Sequence, residues 1–140
     1  MNIKTDIEGI DFNQVSELLS GFGLCDLNGE TLKRVFENSY AKVFFVEAGE
    51  VIGVGRAISD GITQAAIYNI AVRTDYQGQG IGKKIIDELL KQVEGCNVIL
   101  YTHPKHFGLY EHWGFQRLKT AYALFPHEEK YREMGFFEEI

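Results

Sequence analysis

Ile67-Tyr68-Asn69-Ile70-Ala71-Val72-Arg73-Thr74-Asp75-Tyr76-Gln77-Gly78-Gln79-Gly80-Ile81-Gly82-Lys83-Lys84 is the stretch on which the reading of this chain turns. Its first six residues are dense in β-formers, glycines occupy 78, 80 and 82, and Ile81, Ile85, Ile86, Leu89, Leu90 and Val93 then fall on one helical face. The order is strand, glycine turn, amphipathic helix. Glycines at alternate positions leave main-chain N–H groups unshielded and admit dihedrals that a Cβ disfavours. The helix beyond adds its own unsatisfied N–H groups and the positive end of its dipole. The run reads as a backbone cradle for an anion, a phosphate-bearing cofactor first among them.

Spacing decides between the known cradles. A dinucleotide fingerprint G-x-G-x-x-G starting at Gly78 needs glycine where Lys83 stands. A P-loop ending at Gly82 needs glycine in place of Gln77 and Ser or Thr in place of Lys84. The pattern left is Gln-x-x-Gly-x-Gly, carried by Gln77, Gly80 and Gly82. It resembles the acetyl-CoA loop of the GCN5-related N-acetyltransferase (GNAT) family. Two further stretches share the likeness: residues 68–76 are similar to that family's central strand and its exit, and Leu109-Tyr110-Glu111-His112-Trp113-Gly114-Phe115 is similar to its second signature. The likeness runs over about 43–125 and is weak before that.

The resemblance implies a set of roles. The pyrophosphate of acetyl-CoA would sit on Gln77, Gly78, Gln79, Gly80, Ile81, Gly82 and Lys83, and the pantetheine arm would lie along Ile70, Ala71 and Val72 if that strand splays from its neighbour. Arg73 and Lys84 are further candidates for phosphate contact. Tyr110 matches the tyrosine that returns a proton to the departing thiolate. Tyr68, Asn69 and Phe22 would border the amine, since acceptor choice in this family comes from the first helices and the 21–29 loop. The Asn found in many members ahead of the second signature is replaced here by His103-Pro104.

The chemistry these roles must serve can be put in numbers. An alkyl amine with a pKa of about 10.4 is neutral in roughly one molecule in 2,500 at pH 7, a deficit of about 4.6 kcal/mol. Deprotonation is therefore a substantial part of the task. Ala66 and Tyr68 share the strand face where other branches of the family place a base. Alanine does not titrate, and a phenol needs an acidifying environment before it accepts a proton. A water relay, or a group such as His103, is favoured instead. Against catalysis by Tyr110 stands packing beside Phe107 and Trp113 on an amphipathic helix.

Composition narrows the remaining classes. The 140 residues are expected to form one domain over 1–140. A net charge of −6 argues against nucleic acid as partner and permits a cationic one; small amine, antibiotic, peptide and protein lysine stay open as acceptors, and the strand-to-loop stretch loosely resembles family members that act on a small-molecule amine. Glu128, Glu129, Glu133, Glu138 and Glu139 are read as a solvated face rather than an amine trap. No apolar run reaches the roughly 18 residues of a membrane span. The opening residues lack the regions of a secretory signal, and Cys25 and Cys96 form no CxxC pair, so a cytoplasmic location is expected. His103, His106 and His112 lack the partners of a zinc site, and no metal is expected. No G-x-S-x-G elbow occurs.

Along the chain the expectation is an α+β fold: a mixed, mostly antiparallel central sheet flanked by helices on both faces. Asp11 and Gln14 resemble a capping box ahead of a stripe of Phe12, Val15, Leu18, Leu19 and Phe22. Gly21, Gly23 and Gly29 separate this helix from one carrying Leu32, Val35 and Phe36. Strands are expected at 42–48 and 51–59, then at 67–72 after an Asp60-Gly61 turn. A helix over 80–94 leads to a parallel strand at 97–101, and 115–118 and 121–125 close the sheet. Phe136-Phe137 admits a docking edge, a homodimer contact or core packing, the last favoured. The activity expected is acetyl transfer to a primary amine by direct attack in a ternary complex. A non-catalytic acyl-CoA-binding or regulatory module is the alternative, and an ATP-binding protein a third reading.

Overall fold

The computed structural model describes residues 1–138; Glu139, one of the C-terminal carboxylates, lies outside the described residues. The chain gathers into two compact units, Met1–Leu100 and a second that begins at Tyr101.

In the first unit, β1 (Asn2–Lys4), β2 (Ala41–Glu47), β3 (Glu50–Ser59), β4 (Gln64–Val72) and β5 (Asn97–Ile99) form one sheet in that order. The first four run antiparallel and β5 lies parallel to β4. This is the mixed, mostly antiparallel sheet expected. β1 was not foreseen, because three residues are too few to show a period of two; it pairs Ile3 with Phe45.

Helices α1 (Phe12–Gly21) and α2 (Gly29–Glu37) cover one face. Phe12, Val15, Leu18 and Leu19 bury against Leu32, Phe36, Phe44, Val54 and Ala71. The rings of Phe12, Phe36 and Phe44 meet with centroids 5.4 to 5.8 Å apart. Burying a side chain of this size contributes about 1.5–3 kcal/mol, so the stripe seen in the sequence is what fixes α1 to the sheet. The expected capping box is only half formed. Asp11 accepts from Asn13 N–H at 2.9 Å, but Gln14 turns away and its Oε1 accepts from Val51 N–H at 2.8 Å. An unpaired amide near the start of β3 outcompetes the helix terminus for that side chain.

Helix α3 (Ile81–Gln92) covers the other face, burying Ile81, Ile85, Ile86 and Leu89. It approaches β3 closely: a Cβ at Gly53 would come 3.2 Å from Ile85 Cδ1 and 3.3 Å from Ile81 Cγ2. The β3–β4 turn is held by Asp60, whose carboxylate accepts from the N–H groups of Ile62, Thr63 and Gln64 and from the Thr63 hydroxyl. These four donors, the Thr63 hydroxyl foremost, hold its pKa well below the ordinary carboxylate value.

In the second unit, α4 (Phe107–His112) and α5 (Glu128–Glu133) flank an irregular stretch. The strands expected at 115–118 and 121–125 do not form there, and β5 stops at Ile99 rather than at Tyr101. The side chains find local partners instead. Arg117 pairs with Glu111 at 2.8 Å and lies over the Phe107 ring, which folds the chain after Gly114 back onto α4. Phe125 packs on Tyr101, Tyr131 and Phe137, and Phe136 packs on Tyr101, His103 and Tyr131. Both phenylalanines of the 136–137 pair thus take part in an aromatic cluster within this unit.

Candidate active site

The end of β4 and the turn into α3 are built by main-chain geometry. Gly78 and Gly80 both sit at φ +80°, in the left-handed region, and nothing lies within 4 Å of where their Cβ atoms would be. Glycine is needed there for backbone conformation rather than for space. Gly80 caps α3 without any side-chain bond, and the helical ladder opens with Lys84 N–H to Gly80 O at 3.2 Å. The N–H groups of Ile81, Gly82 and Lys83 therefore precede the ladder, at the positive end of the helix dipole. Gln79 is exposed beside them. The turn thus gathers main-chain amides at the start of α3, the arrangement that an anion cradle requires.

Beside the cradle, β4 has an open edge. β5 pairs with it only at Gln64, Ala65 and Ala66, so at Ile70 and Val72 that edge has no strand partner among the described residues. This is the splay that a bound arm would require. Arg73 N–H donates to Ile52 O at 2.7 Å, which turns residue 73 toward β3. By the alternation of a strand, the N–H and C=O of Val72 and Ile70 face the open edge, while those of Ala71 face β3. Ile70, Ala71 and Val72 are thus brought together as expected, with Ile70 and Val72 carrying the outward groups. The Val72 carbonyl accepts from Gln77 Nε2 at 3.0 Å, so the Gln77 side chain lies on the strand edge.

Arg73 and Lys83 near the cradle are engaged with carboxylates, whereas Lys84 is exposed in the first turn of α3 and forms no such pair among the described residues. Arg73 binds Glu50 at 2.8 Å and Asp75 at 2.8 Å, and stacks over Tyr76. The Asp75 and Glu50 bonds push its guanidinium pKa above the usual value, and Arg73 in turn lowers that of Asp75. Lys83 pairs with Asp87 one turn along α3. Each pair is exposed enough for a bound phosphate to compete for the cation.

On the α1 side, Phe22 caps the helix and lines an open cavity of about 350 Å³ with Glu17, Leu18, Glu50, Arg73 and Thr74. Tyr68 and Asn69 lie on β4, half-buried, and both engage Arg56: its guanidinium lies 5.2 Å from the Tyr68 ring centroid, and its Nε donates to Asn69 Oδ1 at 2.6 Å. Arg56 was missed in the sequence. The available signal was a lone charge in the otherwise apolar run Val51-Ile52-Gly53-Val54-Gly55-Arg56-Ala57-Ile58.

In the second unit, Tyr110 is half-buried on α4, with Trp113 and Phe115 edge-on to its ring at 5.4 and 5.7 Å. Burial pushes its pKa above the ordinary phenol value. His103 has both ring nitrogens in use: Nδ1 accepts from Lys105 N–H at 3.1 Å, and Nε2 therefore donates to Met134 O at 2.8 Å. A histidine so placed caps the turn that precedes α4. His106 has its pKa lowered by burial and by the neighbouring Lys105 and His103. Among the described residues no three His, Cys, Asp or Glu side chains converge on one point.

The signature of the Acetyltransferase (GNAT) domain matches residues 39–117, which include the open edge, the glycine cradle and Tyr110. The chain belongs to the GNAT acetyltransferase family. A rice protein named Serotonin N-acetyltransferase 2, chloroplastic (Oryza sativa subsp. japonica), is 27% identical over 81% of this GNAT chain, which spans 60% of that protein's length. The [ribosomal protein bS18]-alanine N-acetyltransferase of Haemophilus influenzae is 27% identical over 95% of this chain and 94% of its own. Among solved structures, a Deinococcus radiodurans R1 protein provisionally assigned as an acetyltransferase superposes with a TM-score of 0.77 at 25% identity, over 99% of this chain and 94% of its own.

Proposed function

We propose that the chain transfers the acetyl group of acetyl-CoA to the primary amine of a small molecule, by direct attack within a ternary complex. One observation carries the reading: an unpaired strand edge at Ile70 and Val72 runs into left-handed Gly78 and Gly80 at the mouth of α3. A coenzyme that ends in a diphosphate and carries an amide arm needs such a sequence of main-chain partners. The amide of Gln77 on the Val72 carbonyl supports the same reading, since it marks that carbonyl as an acceptor for an N–H of the arm.

In this scheme the neutral amine attacks the thioester carbonyl carbon, the carbon–sulfur bond breaks, and the thiolate takes a proton from Tyr110, whose phenolate is then reprotonated from water. The raised pKa of the phenol keeps it protonated across the neutral range. The proton lost by the amine leaves through water, because Ala66 does not titrate and both His103 nitrogens are occupied. The cavity beside Phe22 has Glu17 and Leu18 on its wall, which suit an ammonium joined to an apolar body, while the Glu50 carboxylate in the same lining is paired with Arg73. The name of the rice relative, a serotonin N-acetyltransferase, agrees with that class. The Haemophilus relative, matched over nearly the whole of both chains, favours a second reading in which the amine is a protein N-terminus.

Thiol release from acetyl-CoA separates these readings when followed with serotonin, tyramine, spermidine and a peptide with N-terminal alanine. Turnover with the small amines is expected. Turnover with the peptide alone replaces the acceptor class. Binding of coenzyme A without turnover on any amine overturns catalysis in favour of an acyl-CoA-binding module.

A further inference from the structure

β4 breaks its own alternation at one residue. Asn69 has φ +60° and Ala48 has φ +51°; they are the non-glycine residues with positive φ among those described, and Ala48 belongs to a hairpin turn. At Asn69 the ladder slips: Val54 faces Ala71 but Arg56 faces Tyr68, so three steps along β4 answer two along β3. The extra residue makes a bulge.

The bulge swaps the two edges of the strand. Before it, Thr63 O accepts from Asn97 N–H while Gln64 O accepts from Asp60 N–H, so odd residues face β5 and even residues face β3. After it, Arg73 N–H donates to Ile52 O, so odd residues face β3. The side chains swap as well. Tyr68 meets Arg56 on the α2 side, whereas Ile70 lies over Gly55 on the α3 side, where a Cβ at Gly55 would come 2.6 Å from both Ile70 Cδ1 and Ile85 Cγ2. Without the extra residue, the outward groups of Ile70 and Val72 would turn into the sheet.

A left-handed residue other than glycine needs support, and Asn69 receives it from one side chain. Arg56 Nε donates to Asn69 Oδ1 at 2.6 Å. Arg56 is itself held: Nη1 donates to Ser39 Oγ at 3.3 Å, and the guanidinium lies over Phe36 and Tyr68 at 6.0 and 5.2 Å. Ser39 is the buried polar residue of this unit, 3% exposed, and its hydroxyl donates to Val35 O at 2.8 Å. A chain of contacts thus runs from α2 to the irregular point of β4.

We propose that Arg56 is a positioning residue for the coenzyme: by clamping Asn69 it holds the bulge that presents the Ile70 and Val72 backbone to the open edge. The inference rests on the reading of that edge as the seat of the pantetheine arm.

The test is a cycle of R56A, R56K, N69G and R56A/N69G, read by calorimetry with coenzyme A and by amide NMR of residues 69–72 without it. R56A is expected to weaken coenzyme A about tenfold, the size of a lost charge-assisted hydrogen bond, and to shift the 69–72 amides. R56K should recover part of both. Glycine reaches φ +60° unaided, so adding R56A to N69G should change the affinity of N69G less than about twofold. An equal loss in both backgrounds overturns the clamp, because Arg56 would then act without Asn69. Unmoved 69–72 amides in R56A overturn it too. If R56A does not fold, N69A against N69G reads the same contact: similar amide spectra reject the clamp. If the wild type fails to bind coenzyme A, the acetyl-CoA reading falls, while the amide arm still decides whether Arg56 holds the bulge.

Discussion

The β4–α3 region of the first unit and the α4 region of the second hold candidate residues of opposite construction. In β4–α3 the working groups are main-chain amides, set by left-handed glycines, a bulge and an unpaired strand edge. In α4 the candidate group is one phenol, set by two edge-on aromatic neighbours on a helix of six residues. Amide sites tolerate changes of side chain and fail when dihedrals change. A single phenol fails when its one oxygen is removed, whatever the backbone does.

The largest effect is expected for Tyr110→Phe. Loss of a positioned proton donor should lower kcat by about 100-fold while leaving coenzyme A affinity within about twofold. The pH profile adds a check. Burial raises the Tyr110 pKa, so the protonated donor persists above the ordinary phenol value of about 10, and the alkaline limb of kcat should lie beyond it. The sign for stability is the same: the contribution is whole below the unfolded value and is lost as pH rises through the folded one. Tyr110→Phe should abolish both the limb and that alkaline loss. A profile unchanged by the substitution would remove Tyr110 from the chemistry.

Gly80→Val tests the amide side. A β-branched residue at φ +80° must abandon the left-handed conformation or bear its strain, about 1–2 kcal/mol. Coenzyme A affinity should fall about tenfold by calorimetry, with kcat at saturation changed much less. A fall in kcat without a change in affinity would contradict the cradle. The contrast sharpens if the two variants separate in this way, one acting on turnover and the other on binding.

Gly55→Ala is expected to cost about 1–3 kcal/mol of stability, seen as a lower denaturant midpoint at constant m, because the new methyl collides with Ile70 and Ile85. Coenzyme A affinity should weaken with it, since Ile70 must move. The smallest effect is expected at the β2–β3 turn. Ala48 and Gly49 have φ values of +51° and +78°, both positive as a type I′ turn demands. Ala48→Asn should stabilise by about 0.5 kcal/mol with coenzyme affinity unmoved, as befits a turn whose role is only to join two strands.

Much of this contrast was legible in the chain, but unevenly. The glycine cradle was readable because Gly78, Gly80 and Gly82 advertise backbone conformation directly. Helix α3 was readable because Ile81, Ile85, Ile86 and Leu89 repeat at helical spacing, and Asp60-Gly61 because both residues are turn formers. The bulge was not readable: Asn69 sits inside a run of strand formers, and its left-handed state follows from an arginine thirteen positions earlier. The strands expected at 115–118 and 121–125 failed for another reason. Neither Phe115-Gln116-Arg117-Leu118 nor Ala121-Tyr122-Ala123-Leu124-Phe125 alternates, and Arg117 and Phe125 found partners in Glu111, Phe107, Tyr101 and Tyr131. Gln14 likewise left its cap for Val51 N–H.

By itself the sequence determined the order of elements from α1 to β5, the glycine turn ahead of α3 and the family likeness, because each is written in local periodicity, glycine placement or short spacing, which need no knowledge of what lies across the sheet. The tertiary structure alone decided that β4 is open beyond Ala66, that Ile70 and Val72 rather than Ala71 face outward, and that Arg56 meets Asn69. Those facts depend on register, and register is a relation between strands: one extra residue exchanges every outward group for an inward one without altering the local pattern from which a strand is recognised.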